Sequence, residues 1–300
     1  MEQRRTDLAL EAAQLWREGG NTGELPGVTQ EESTREGYPV TTVKVLDDRG
    51  AKAIGKPVGT YVTVDLSALV RREEDAFGRA ARAVAAELSA LLKLPEGAPA
   101  LVVGLGNRAI TPDNIGPAAA DHTMVTRHLV EQVPEHFGSF RPVAALAAGV
   151  LGTTGVESGE LVRAVTEKIR PSCVIAVDAL ASRSLSRVCT TVQLSDTGIT
   201  PGSGVGNARA ALDRASLGVP VIAVGVPTVV DGATLAADLL AEAGQAHLDP
   251  QALQGAGEGL MVTPRDIDAR VTDLAKVVGF GINLALQTGL TVEDVELFLS

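Results

Sequence analysis

Two aspartates stand where an α/β chain presents chemistry. Asp178 closes the apolar run VIAVD directly, and Asp113 lies in the loop GNRAITPDNIGP, seven residues past Gly106. In open α/β sheets, ligands bind beyond the carboxyl ends of the strands, and polar residues just past an apolar run are presented there. A lone carboxylate ending an all-apolar strand costs several kcal/mol unless it is paired or used, at roughly the level of an unpaired buried charge. Asp113 has a competing reading, since an Asp ahead of a helix commonly caps it. Pro112 and Pro117 stiffen its loop, which suits either role.

Other chemistries find less support. GLGN (104–107) lacks the third glycine of a dinucleotide fingerprint, because Ala109 stands in its place. PGSGVGN (201–207) could cradle phosphate, but no Gly-Lys-Ser/Thr follows, so a substrate-facing turn or tight loop is the better reading. Asp196-Thr197-Gly198 matches the triplet of pepsin-like proteases, yet it has no second copy and sits in a βα pattern foreign to that all-β fold. It reads as a turn. No Gly-x-Ser-x-Gly or His-Glu-x-x-His occurs, and His122, His128, His136 and His247 share no ligand-like helical face. Cys173 and Cys189 follow no metal or redox spacing and read as buried thiols of a reducing cytoplasm.

The elements that must position these residues follow from composition and period. Hydrophobic residues make up 45% of 300, aromatics only 3%, and the net charge is −11. A core of small and branched side chains suits parallel strands under Ala-rich helices, and the charge argues against nucleic acid as a partner. No apolar signal core or run of about 18 apolar residues appears, so no membrane span is expected and the protein is read as cytoplasmic. A helix is expected over Thr6–Glu18, capped by Thr6 or Asp7, then a polar loop over 19–39. Val40–Leu46 and Thr60–Leu66 form an antiparallel excursion around a turn at Asp47–Gly50. A helix over Arg72–Leu92 follows. Strands at 100–106, 141–149, 173–180, 189–195 and 219–227 then alternate with helices at 117–133, Ser158–Ile169 and Asp231–Glu242. A connector at 243–259 leads to a last helix from Pro264, striped by Ile267, Val271, Leu274, Val278 and Ile282. The fold class expected is a three-layer α/β sandwich, its mixed, mostly parallel sheet covered by helices, with a small β-rich excursion at 40–66.

Longer strings carry a resemblance. RTDLALEA, AKAIGKPVGTYVT, LVVGLGN with TPDNIGP, VIAVDALASRS, SDTGITPGSGVGN, GVPVIAVGVPTVVD and LMVTPRDID together resemble the germination protease family of spore-forming bacteria, in order and over most of the chain. The resemblance implies a homotetrameric endopeptidase of the spore core, made as a zymogen, which starts the degradation of small acid-soluble spore proteins. It implies a fold similar to that of hydrogenase maturation peptidases, and two essential aspartates at Asp113 and Asp178. It further implies self-cleavage between Asp7 and Leu8, making 1–7 a propeptide and 8–300 a single peptidase domain. The connector before LMVTP is shorter than in Bacillus-type members, and the segment ahead of RTDLA is short.

Two carboxylates brought together share one proton, and such a pair can activate water and protonate a scissile carbonyl without any cofactor. Arg183 and Arg209 are the candidates to meet the acidic residue before the cut. One alternative is a metal-dependent peptidase like the hydrogenase maturation relatives, although no histidine lies between His136 and His247. A phosphate- or nucleotide-binding module built on GLGN and PGSGVGN is the other.

Overall fold

The structure, a computed structural model, describes residues 6–19, 23–206, 208–242 and 259–300. Strands form mostly where runs of Val, Ile, Leu and Ala are short and evenly apolar, the first being a polar exception. They are β1 (Val28–Arg35), β2 (Tyr38–Val45), β3 (Gly59–Asp65), β4 (Ala100–Leu105), β5 (Val143–Gly149), β6 (Cys173–Ser182), β7 (Thr191–Ser195), β8 (Val221–Asp231) and β9 (Met261–Val262). All join one mixed sheet in the order β1-β2-β3-β7-β8-β6-β4-β5, with β9 beside the end of β8. The β8-β6-β4-β5 half is parallel, and the pairings from β1 through β7 to β8 are antiparallel. The N-terminal excursion therefore continues the main sheet across β3 and β7.

The helices are α1 (Ala9–Glu18), α2 (Asp48–Ile54), α3 (Ser67–Val70), α4 (Ala76–Leu91), α5 (Ile115–Asp121), α6 (Arg127–Gln132), α7 (Pro134–Phe137) and α8 (Leu151–Thr154). They continue with α9 (Ser158–Ile169), α10 (Arg214–Leu217), α11 (Gly232–Glu242), α12 (Ile267–Leu286) and α13 (Val292–Leu299). Strand alternation sorts the core into two layers. Ala100 and Val102 of β4 pack with Val84, Leu88, Ile115 and Leu274, under α4, α5 and α12. Leu101, Val103 and Leu105 turn the other way, toward Val162 of α9. On that second face, α1 covers Val43, Val45 and Tyr61 at the antiparallel end of the sheet. A cavity opens between α9 and the segment just ahead of α1.

Several expectations need correction. The stretch 19–39 is not a loop: it holds β1 and the start of β2, joined by a two-residue turn with positive φ at Glu36 and Gly37. Its strand VTQEESTR is a solvent-facing edge, so neither face carries the apolar alternation that marks a strand. Asp47 does not begin a turn but caps α2, accepting from the amides of Arg49 and Gly50. The helix expected over 117–133 is interrupted, because buried Asn283 takes the amide of Met124 and donates to the carbonyl of His122, both 2.8 Å away. The first helix begins at Ala9 with Leu8 in the capping position and no side-chain cap, so neither Thr6 nor Asp7 caps it. Most of the 243–259 connector lies outside the described residues.

One close approach sets the position of the Asp113 loop. A Cβ on Gly116 would lie 2.2 Å from the carbonyl oxygen of Leu105 and 2.4 Å from that of Val177, so α5 rests its backbone directly on β4 and β6. Gly116→Ala should therefore cost about 3 kcal/mol, the upper range for overpacking, whereas Gly152→Ala, with nothing within 4 Å of its Cβ, should change stability by less than about 0.5 kcal/mol. Denaturant midpoints of the two variants check this, and equal losses would contradict it.

Candidate active site

Asp178 continues the row of Val174 and Ala176 on β6, so the strand's own alternation turns its side chain to the α1/α9 face. It is 6% exposed, and its Oδ1 accepts the amide of Ala179 at 2.9 Å. Asp113 arrives from the other strand of the parallel pair. Past β4 the chain reverses at Gly106, with φ of 113° and the Asp113 carbonyl oxygen only 2.0 Å from where a Cβ would sit. Glycine is required there. The short helical turn Thr111–Asp113 then brings the Asp113 carboxylate back onto the amide of Asn107, at 2.8 Å. That amide, rather than the end of α5, is what Asp113 satisfies, so the capping reading does not hold.

Both aspartates line one cavity of about 420 Å³, together with Gly106, Ile110, Leu180, Ala181, Ser203, Gly204 and Asp7. Burial raises the Asp113 carboxyl above the ordinary carboxylate range, partly offset by the Asn107 amide. Asp178 is pushed well above that range, first by burial and then by the negative charge of Asp113, with Asp7 adding to it. Burial and the like charge of Asp113 both favour the protonated form of Asp178.

The N-terminal segment enters this cavity. The Asp7 amide donates to the Ala181 carbonyl and its Oδ2 accepts the Ala181 amide, both at 2.9 Å. The Ser203 hydroxyl donates to Asp7 Oδ1, also at 2.9 Å. Gln193 spans the Asp7–Leu8 bond: its Nε2 donates to the Asp7 carbonyl at 3.2 Å and its Oε1 accepts the Ala9 amide at 2.8 Å. Gln193 and Asp178 are both paired with Gly225 of β8, so they share one row of the sheet two strands apart, about 10 Å. Leu8 is fully buried. Glu11, 1% exposed, anchors the segment by accepting from Thr6, from the amides of Arg183 and Ser184, and from Arg187 at 3.0 Å.

The remaining sequence candidates lie elsewhere. Asp196 accepts the amide of Thr60 at 2.8 Å and is absent from the cavity wall. Neither expected arginine meets Asp7: Arg183 pairs with Glu18 and Asp238, and Arg209 with Glu157. Cys173 and Cys189 are buried thiols pushed up to about 12 by desolvation. His122, His128 and His136 lie outside the cavity wall, and His247 lies outside the described residues. Among the described residues no three His, Cys, Asp or Glu side chains converge as a metal site would need, and no helix is long and apolar enough to cross a membrane. Sequence reasoning missed Gln193 and Ser203. Only the loop around Ser203 gave a signal, as a possible substrate-facing turn.

Several known proteins are similar to this chain. A solved [NiFe] hydrogenase maturation protease, HycI from Thermococcus kodakarensis, aligns with a TM-score of 0.36 at 16% identity, covering 64% of this chain and 96% of its own. Germination proteases of Caldanaerobacter subterraneus and Clostridium perfringens are each 44% identical, over 98% and 99% of both chains respectively. That of Bacillus velezensis is 37% identical over 97% of this chain and 95% of its own. The germination protease family model matches residues 6–243. With that model spanning most of the chain and full-length relatives at such identity, the chain belongs to the germination protease family and is a peptidase.

Proposed function

We propose that this peptidase starts the degradation of small acid-soluble spore proteins in the spore core at germination, and that Asp113 and Asp178 are its catalytic pair. The observation that carries the reading is two carboxylates of raised proton affinity facing one cavity. Asp113, the less buried of the two, takes a proton from water. The water oxygen bonds to the scissile carbonyl carbon while Asp178 gives its proton to the carbonyl oxygen. Asp113 then passes its proton to the departing nitrogen as the C–N bond breaks, and Asp178 recovers a proton from the new carboxylic acid. These steps use no nucleophilic side chain and no cofactor.

We also read Met1–Asp7 as a propeptide. Supporting this, the Asp7–Leu8 bond is bridged by Gln193 and its leading residue lines the cavity, so a substrate and the chain's own N-terminus would compete for one wall. Self-cleavage requires that the Gln193 bridge be broken. The homotetramer is carried by the family resemblance, and light scattering at micromolar concentration should return four chains rather than one.

Asp113→Asn and Asp178→Asn should each lower cleavage by at least about a thousand-fold, the scale of losing an acid–base group, with the fold kept. Asp196→Asn should remain active, and the reverse pattern would refute the assignment. Stability carries a second signature. Both carboxyls bind protons more tightly in the folded state, so their contribution is complete below about pH 4 and is lost as pH rises through their folded pKa values. Asp178→Asn should flatten that decline in denaturant melts, and parallel curves for variant and parent would contradict it. N-terminal mass analysis before and after mildly acidic incubation should show Met1–Asp7 lost and Leu8 leading. Fully active protein still carrying Met1–Asp7 would overturn the propeptide reading.

A further inference from the structure

Glu11 is a buried carboxylate that the aspartate chemistry does not use, and its acceptor positions are filled from both sides of one peptide bond. Its Oε1 accepts the amide of Ser184 and the guanidinium of Arg187, both at 3.0 Å. Its Oε2 accepts the amide of Arg183 at 2.6 Å and the hydroxyl of Thr6. A carboxylate offers about four lone-pair sites, so the set is complete. Three of these donors belong to the loop after β6, which continues the cavity-lining run Ala179–Ala181. The other, Thr6, lies beyond the Asp7–Leu8 bond. The same Thr6 hydroxyl accepts the Leu8 amide at 3.1 Å, so it stands as a bridge between the Leu8 nitrogen and Glu11.

We propose that Glu11 is the receptor for the α-ammonium of Leu8 once the chain has been cut, so that the loop after β6 stays fastened when Thr6 is gone. The inference rests on the propeptide reading above. Hydrolysis adds one water across the Asp7–Leu8 bond: the C–N bond breaks, Asp7 leaves with an α-carboxylate, and Leu8 keeps an α-ammonium. Thr6 departs with the same segment, and an acceptor position on Glu11 falls vacant beside the new cation. Leu8 is the capping residue of α1 and Glu11 the third residue of the helix. At that spacing a glutamate reaches back to the capping residue's own nitrogen. The anchors that keep Leu8 in place lie past the cut, namely its fully buried side chain and the Ala9 amide, which donates to Gln193 at 2.8 Å. A cation at a helix N-terminus is opposed by the helix dipole, and a first-turn carboxylate offsets that. The other charges facing the pair are cationic. Arg187 touches Glu11, and Lys56 donates to the Thr6 carbonyl at 3.2 Å and feels the charges of Asp7 and Glu11. Arg183 turns its guanidinium away to Glu18 and Asp238. Burial, Arg187 and Lys56 all disfavour one more cation, so only direct contact with Glu11 can raise the proton affinity of the Leu8 amine.

The test is to titrate that amine in the processed chain by competitive labelling with acetic anhydride across pH, read by mass analysis of the N-terminal peptide. In urea the amine should titrate near its ordinary value of about 8. In the folded chain the midpoint should lie above about pH 9, a rise of roughly ten-fold in proton affinity. Glu11→Gln should return it to about 8 or below. A folded midpoint at or below the urea value would overturn the proposal, and so would a raised midpoint that Glu11→Gln leaves unchanged. If Glu11→Gln does not fold, Glu11→Asp, one methylene shorter, decides: a lower midpoint than the parent's supports the pair, and an equal one overturns it. If the chain does not cut itself, the propeptide reading has failed and the ion pair is judged separately. An enteropeptidase recognition sequence in place of residues 3–7 then frees the same Leu8 terminus, and the same midpoints decide.

Discussion

A carboxylic acid buried at the end of an apolar strand is the constraint around which this molecule is arranged. Asp178 sits in the middle of the sheet, in line with Val174 and Ala176, where hydration is lost and a second carboxylate shares its cavity. A charge in that place is costly, so burial favours the protonated form of the group. The neighbouring elements follow from this. Gly106 and Gly116 allow two backbone approaches that no side chain would permit, and those approaches place Asp113 against the same space. Asp113 in turn is steadied by the Asn107 amide, which favours its charged form. Each acid accepts one backbone amide, and it is the deeper burial of Asp178 that sets the two chemically identical groups apart.

The second arrangement is the N-terminal segment, and it depends on the first. Leu8 is fully buried and Glu11 collects donors from the loop after β6, so the helix α1 is fixed firmly beside the cavity. Just ahead of it, Asp7 is held between Gln193 of β7 and Ala181 of β6, on either side of Gly225 in the row that Gln193 shares with Asp178. Gly225 contributes no side chain to that row, and a Cβ there would fall 2.3 Å from Leu180. A peptide crossing the row meets a polar clamp on one side and the acids on the other. The place of Asp7 in the cavity wall is thus a consequence of where α1 is anchored.

Much of this was legible in the sequence. The parallel strands announce themselves as continuous apolar runs, and Asp178 stands out because one of those runs ends in a charge. The Asp113 loop was ambiguous from spacing alone and was singled out by the TPDNIGP resemblance. Three things were hidden, each for a physical reason. The edge strand β1 is polar on both faces, so it carries no period to detect. The break after α5 is made by Asn283, some 160 residues away in the chain, and long-range hydrogen bonds leave no local signature. The arginines Arg183 and Arg209 were expected to meet Asp7 on charge alone, but each is committed to nearby carboxylates, while Ser203 and an amide do the holding.

The central claim is that the aspartate pair retains one proton near neutral pH, and infrared difference spectroscopy reads that directly. A spectrum of the parent minus Asp178→Asn at neutral pH should show the carbonyl stretch of a protonated carboxylic acid, shifting on transfer to heavy water. That band should fade at alkaline pH as the last proton leaves the pair. A difference spectrum containing only ionised carboxylate bands at neutral pH would mean that both aspartates are charged, and the account given for the pair would be wrong.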